Sequence, residues 1–317
     1  MLTPIAVISA RDSHTYMDDR IVSWLLDNAG PVVRFRTIVD LLSTQDVQLV
    51  TDALDNLLTC QVVRVWLDRL RGGFNPDNVW SQRPAAFANV MGKLVQLGMR
   101  AGLQPFDTLT LPARAWLTDT IEKTDGPFRP RREMVVVVSL LALAGYSETK
   151  YVSGVLKRQL EFLFNRRPGI VADNSLAVSP TTTDLIGIAH AKGIRSDKEL
   201  RAKAEAIVED VIEGRTRITL PTSRTALART LVLLETLPRF RTVRESKWFV
   251  ETMAALGEWR TDRGTYRFPE DRVPERESGM WISGDFMALD DRNRESAMEC
   301  ESTFRVLWIQ KIARSAA

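Results

Sequence analysis

The sequence predicts an all-α protein, an (α/α)6 toroid in which outer amphipathic helices alternate with more apolar inner ones. Three observations predict it. Six apolar helical segments recur, starting near residues 32, 84, 132, 182, 223 and 299. Each follows a loop rich in Gly, Pro or aromatic residues, the composition that separates helices. Between them lie more charged segments with apolar residues three and four positions apart, the spacing of a helix with one buried face. Four of the five steps fall between 41 and 52 residues, and an insertion lengthens the last to 76. A fixed period of this size is the mark of repeated helical units.

In chain order, 21–28 carries Trp24, Leu25 and Leu26, and Gly30 and Pro31 then introduce the apolar segment 32–42. The segment 47–69 reads as one long amphipathic helix with Leu54, Leu57, Leu58 and Val62 on its apolar face. Gly72, Gly73 and Pro76 precede the apolar 84–99. The amphipathic 111–122 leads through Gly126, Pro127 and Pro130 to 132–144. Next come 150–164, then 182–191 after Pro168, Gly169 and Pro180, then 197–212. Gly214 and Pro221 precede 223–234, and 243–256 and 299–312 complete six pairs. The runs 134–144 and 225–234 are apolar almost all round, so each is expected to be buried on all sides. Their β-branched residues suit strands too, but their length, their alanines and the lack of hairpin turns favour helix. An open HEAT-like α-solenoid satisfies the same alternation. Six pairs is the number that closes a ring, and the uneven last step is unlike a regular solenoid. The expected organisation is one toroid domain over 1–317, with 1–17 as an N-terminal arm and 257–298 as a long loop or lid over the barrel mouth.

Of the 317 residues, 44% are apolar and 26% charged. These values exclude a disordered chain, a collagen-like chain and a disulfide-stapled scaffold. The net charge of +3 is too small to argue for nucleic acid. Cys60, Cys300, His14 and His190 stand far apart and show no metal-ligand spacing. Two lone cysteines suit a reducing compartment. The apolar stretch near the N-terminus is short and broken by Pro4, a poor signal peptide. The longest apolar run, 134–144, is about half of a bilayer span. The expectation is a cytoplasmic protein with no membrane span and no nucleic-acid partner. There is no GxGxxG, Walker, HExxH or GxSxG motif, so no nucleotide cofactor, metal or other cofactor is expected.

In a toroid, the connections that lead into the inner helices gather at one end, and loops on a rigid scaffold are where binding concentrates. Here those connections are 29–31, 70–83, 124–131, 165–181, 213–222 and 257–298. They carry Trp80, Phe128, Trp259, Tyr266 and Trp281, which suit the wall of an apolar substrate. They also carry Arg131, Arg132, Arg166 and Arg167, which suit phosphate or carboxylate. Glu299 opens the sixth inner helix. A carboxyl at an apolar barrel mouth would have a raised pKa and could act as a general acid. Asp285 and Asp290 in the preceding loop are further candidate acids. Asp291 and Glu301 read as ordinary acids of a helix start. His190 reads as a satisfied core histidine, Cys300 as a small buried hydrophobe, and His14 as part of the N-terminal arm.

These alternating helices, with Gly73, Phe74, Trp80 and Gln82 in one loop and Gly264, Tyr266 and Phe268 in another, resemble the α/α-toroid superfamily of class II terpenoid cyclases and protein prenyltransferases. The stretch from Glu299 to Thr303 is similar in placement to the acid motif of triterpene cyclases, although the family acid is an aspartate and the Asp-x-Asp-Asp motif is not present. The resemblance implies acid-initiated cyclisation or isomerisation of an apolar, isoprenoid-derived small molecule, with Glu299 in the place of the acid. Two other functions fit the residues. One is a carbohydrate-active toroid, a glycosidase or lyase using two carboxylates such as Asp285 with Asp290 or Asp291. The other is a non-catalytic helical-repeat binding protein, which includes HEAT-like nucleic-acid binding.

Overall fold

The computed structural model describes residues 19–123, 131–167, 170, 178–213 and 226–315. Among them there are sixteen α-helices and no strand, only two isolated β-bridges. The first half holds α1 (Asp19–Asn28), α2 (Pro31–Arg36), α3 (Val47–Thr59), α4 (Gln61–Arg71), α5 (Phe87–Gln96), α6 (Phe106–Leu109), α7 (Leu111–Glu122) and α8 (Arg132–Leu141). The second half holds α9 (Lys150–Asn165), α10 (Thr182–His190), α11 (Lys192–Ser196), α12 (Lys198–Glu213), α13 (Ala226–Leu234), α14 (Arg241–Glu245), α15 (Lys247–Gly257) and α16 (Ala297–Ser315). Helix α2 continues as a π-helical segment, Thr37–Leu42, and α8 as another, Ala142–Tyr146. No helix among the described residues is long and apolar enough to cross a membrane.

Local chemistry sets most of the helix starts. Asp46 accepts from Leu49 N (3.0 Å) at the start of α3, and Ser246 accepts from Phe249 N (3.2 Å) at the start of α15. Thr181 and Asp184 form a reciprocal capping box on α10. Pro31 stands in the first turn of α2, where its missing N–H costs nothing. One boundary differs from the sequence expectation. The segment 47–69 is two helices, because Cys60 is extended (φ −63°, ψ 129°). The break lets α3 pack on α2 while α4 packs on α5, so tertiary contact overrides a continuous helical pattern.

The alternation of more and less buried helices holds. Every residue from Met134 to Leu141 in α8 is buried, as is every residue from Thr183 to Ala189 in α10. By contrast α7 buries only Ala113 and Leu117, and α12 only Ala204, Ile207, Val208 and Ile212. The more apolar helices meet one another in order. Helix α5 packs on α8, α8 on α10, and α10 on the 3-10 turn Leu237–Arg239 that follows α13. That turn packs on α16, and α16 on α1, α2 and the segment Thr37–Leu42. Arg36, the last residue of α2, donates to Gln96 O at the end of α5 (2.9 Å).

The connection between α15 and α16 runs inward. Phe268, Val273, Trp281 and every residue from Gly284 to Asp290 are buried. Phe286 meets Trp66 of α4 edge-on at 5.2 Å. Two polar side chains of α5 hold this segment. Asn89 donates to Ser81 O, Arg83 O and Gly279 O and accepts from Trp281 N (2.9 Å). Lys93, fully buried, donates to Phe286 O (3.0 Å) and Ala288 O and pairs with Glu275 (3.4 Å). Between them on α5, Gly92 leaves room for the Trp281 ring, which a Cβ would approach to 2.2 Å. Gly92→Ala should therefore displace Trp281 and lower stability by about 1–3 kcal/mol. Urea denaturation checks this, and an unchanged midpoint would contradict the packing.

Candidate functional site

The three carboxyls expected to carry chemistry lie in or beside this inward segment, and each is engaged by the protein. Asp290 accepts from Val32 N (2.9 Å) and Val33 N (3.1 Å), capping the start of α2 from far along the chain. Gly30 makes the approach possible, since a Cβ there would lie 2.5 Å from the carboxyl. Burial pushes Asp290 up to about 6, against the two backbone hydrogen bonds that pull it down. Asp285 accepts from Met280 N (2.8 Å) and pairs with Arg276 (3.4 Å), tying the turn around Trp281. Glu299 is half-buried in the first turn of α16 and accepts from the hydroxyl of Thr265.

The neighbouring acids are held too. Asp291 is exposed and accepts from Asn293 N (3.0 Å). Glu301 is 2% exposed and lies between Arg292 (3.2 Å) and Arg305 (3.3 Å). Arg305 is fully buried, pairs with Glu235 as well, and donates to Met287 O (2.7 Å). Sequence reasoning missed Lys93, Glu235 and Arg305 as the partners of this segment. A lone charge in an apolar helix is their only sequence signal.

The expected aromatic wall is dispersed. Trp259 packs edge-on against Phe268 (5.4 Å), and Tyr266 N donates to Thr303 Oγ1 (2.8 Å), so both serve the inward segment. Trp281 is buried against Gly92. Phe128 and His14 lie outside the described residues. Arg131 is exposed at the residue before α8. His190 sits with Nδ1 2.9 Å from Ile186 O, and burial beside Arg239 and Arg195 holds its pKa well below the usual range, so it is neutral. Burial pushes the Cys300 thiol up to about 11, which makes it a poor nucleophile. No group of three His, Cys, Asp or Glu among the described residues is placed to hold a metal.

Three of the expected residues, Trp80, Arg132 and Arg166, do meet. Trp80 and Arg132 line a cavity of about 880 Å³ with Arg158, Phe162, Arg166, Thr181, Asp184, Arg229 and Ile282. Helix α9 supplies Arg158 and Phe162 four residues apart, on one face, and Arg166 follows directly after its last residue. The first turns of α8 and α10 supply Arg132 and Thr182. The Arg132 guanidinium stands over the Trp80 ring (5.5 Å) and that of Arg166 over the Phe162 ring (5.0 Å). Val135, Val136 and Ile282 add apolar wall.

The charge balance of this cavity is one-sided. Asp184 is the carboxyl in its described wall, and both its oxygens are used. One accepts from Gln159 Nε2 (2.9 Å), the other from Thr181 N and Oγ1 (both 2.7 Å). None of Arg132, Arg166 and Arg229 has a carboxylate partner among the described residues. A larger groove of about 1110 Å³ runs between α12 and the α14–α15 pair. Its cations are nearly matched by carboxylates in the same wall, as in Arg241–Glu245 and Lys247–Glu251, so its excess charge is smaller than that of the cavity around Trp80. Among the sequence signals, Trp80, Arg132 and Arg166 pointed to the basic cavity. Arg158 and Arg229 did not, because they stand inside helices and only packing brings them to the same space.

Comparison with known proteins adds nothing to this geometry: no protein family, curated protein or solved structure matches the chain.

Asp290 makes a pH prediction. Its carboxyl binds a proton more tightly in the folded state than the ordinary 3.8, up to about 6. The native state therefore holds the extra proton in that window, and stability falls as pH rises from about 4 to about 6. The shift corresponds to roughly 3 kcal/mol. The difference in unfolding free energy between the wild type and Asp290→Asn, followed across that window, should move by that order. A flat difference would mean that the carboxyl is not desolvated as described.

Proposed function

We propose that this all-α chain is a toroid protein that binds an amphiphilic small molecule with a multiply charged anionic head, of the isoprenoid diphosphate class. The single observation that carries the reading is the cavity between Trp80, α8, α9 and α10. There, the guanidinium groups of Arg132, Arg166 and Arg229 and an aromatic and aliphatic wall face the same space with one carboxylate already consumed. Guanidinium forks suit phosphoryl oxygens bidentately. Val135, Val136, Phe162 and Ile282 suit a hydrocarbon body. The toroid is supported by the run of contacts from α5 through α8, α10 and the turn Leu237–Arg239 to α16, and by the contact of α16 with α1 and α2. An open solenoid keeps its ends apart.

Binding, rather than acid-initiated cyclisation, is the activity put forward. Glu299, Asp285 and Asp290 are absent from the described wall of this cavity, and each would first have to leave its present partners.

Calorimetric titration with farnesyl diphosphate, farnesol and inorganic pyrophosphate tests the reading. The diphosphate ester should bind at least roughly tenfold tighter than the alcohol, as expected for charge-assisted hydrogen bonds. Arg132→Glu and Arg229→Glu should each weaken it by a similar factor. Equal affinity for ester and alcohol, or unchanged binding in both variants, would overturn the proposal.

A further inference from the structure

A second basic cavity lies beyond the other ends of α10 and α13. It encloses about 330 Å³, and Arg100, Arg195, Arg239 and Lys311 face it together with Asp40 and Trp308. Helix C-termini explain part of this cluster, because their last carbonyls need donors and carry partial negative charge. Arg239 donates to Glu235 O (2.7 Å) and Thr236 O (3.0 Å). Lys311 donates to Leu41 O (2.9 Å) and Ser43 Oγ (2.6 Å). Asp40 is likewise committed, accepting from Arg36 Nε (2.8 Å) and Arg100 Nη2 (2.9 Å).

Arg195 is left over. Its guanidinium makes no hydrogen bond or ion pair among the described residues, and its Nε is buried without a partner. The acid that acts on it most is Glu148, which forms no ion pair with it. Arg239 is close enough that the two guanidiniums repel. Burial first, and then Arg195, brings Arg239 down to about 10. His190 beside them is neutral and supplies no negative charge. Two desolvated guanidiniums that face one small space with no free carboxylate among the described residues are an arrangement that an anion would relieve. Trp308 forms part of the wall, so the space is bounded by an aromatic as well as by charge.

We propose that this cavity is a second ligand site, for a compact multiply charged oxyanion bearing a phosphoryl group, gripped by the Arg195 and Arg239 guanidiniums. Its volume is near the bottom of the roughly 300–1,000 Å³ range of ligand pockets, so the ligand is small. The site is separate from the cavity around Trp80 and does not depend on the reading of that cavity. Arg195 supplies a guanidinium that no side-chain hydrogen bond or ion pair among the described residues uses. Arg239 supplies a second fork while holding the turn after α13.

The test uses the full chain, titrated with inorganic phosphate, pyrophosphate and glycerol 3-phosphate at constant ionic strength. Calorimetry and tryptophan fluorescence read the binding. Saturable binding is expected, with a fluorescence change that Trp308→Phe removes. Arg195→Gln should weaken binding at least roughly tenfold while leaving the thermal midpoint unchanged, since it removes no internal hydrogen bond. Arg132→Glu should leave this binding intact, which separates it from the site around Trp80. Tighter binding of glycerol 3-phosphate than of phosphate would support the site and assign it to the phosphoryl group of a metabolite. Tighter binding of the inorganic ions would support it as a site for the free anion. No saturable binding, or a loss in Arg132→Glu with none in Arg195→Gln, would overturn the proposal.

Discussion

Three buried charges, Lys93, Glu301 and Arg305, allow a length of irregular backbone to run through the core. An extended segment inside a helical protein has no ladder for its N–H and C=O groups, and each unpaired one costs free energy. Here side chains from the surrounding helices replace the ladder. Lys93 takes Phe286 O and Ala288 O, Arg305 takes Met287 O, and Glu301 takes Leu289 N (3.2 Å). Ser302 accepts from Phe268 N (3.0 Å), and Arg292 donates to Val273 O (2.6 Å). The charges are themselves compensated, Lys93 by Glu275, Arg305 by Glu235 and Glu301. Burial still brings Lys93 down to about 8. Breaking one such pair leaves an uncompensated buried charge, so the set holds or fails together.

That frame decides what the rest of the molecule can offer. Phe286, Met287 and Leu289 of the chain itself are buried, with Phe286 against Trp66 and its carbonyl on Lys93, and the carbonyl of Met287 on Arg305. Acids that in sequence stand where a reaction centre is expected are instead pins. Asp290 shows this most clearly, because it caps a helix near the other terminus of the described chain. Open space remains at the two ends of α10 and α13, and at both ends the excess charge is positive. At the C-terminal ends the cations are partly explained by the carbonyls they satisfy. At the N-terminal ends they add to a helix field of the same sign, which favours an anionic visitor over an internal role.

The all-α class and the alternation of helices were legible from residues alone, since amphipathic spacing and all-apolar runs report burial directly. The run 134–144 is a clear case: it is buried throughout Met134–Leu141. Trp80, Arg132 and Arg166 were legible as candidates because each is an aromatic or a cation in or beside a connection that leads to an apolar helix, and folding brings all three to one cavity wall. The break at Cys60 was not legible, because no breaker residue marks it. The inward path of 257–296 was not legible either: a loop that satisfies its backbone with distant side chains has the same composition as one that satisfies it with water.

The sequence by itself determined which faces are apolar, where helices start, and that one long insertion precedes the last helix. These depend on neighbours within a turn or two, and the chain encodes them locally. Only the tertiary structure decided which carboxyls are free. Whether Asp290, Asp285 or Glu299 is an acid or a pin depends on backbone groups and side chains brought to it by folding. Val32 N lies 258 residues from Asp290 and less than 3 Å from its oxygen. The places of Arg195 and Arg229 beside open space were decided in the same way, because packing sets which charges meet a partner.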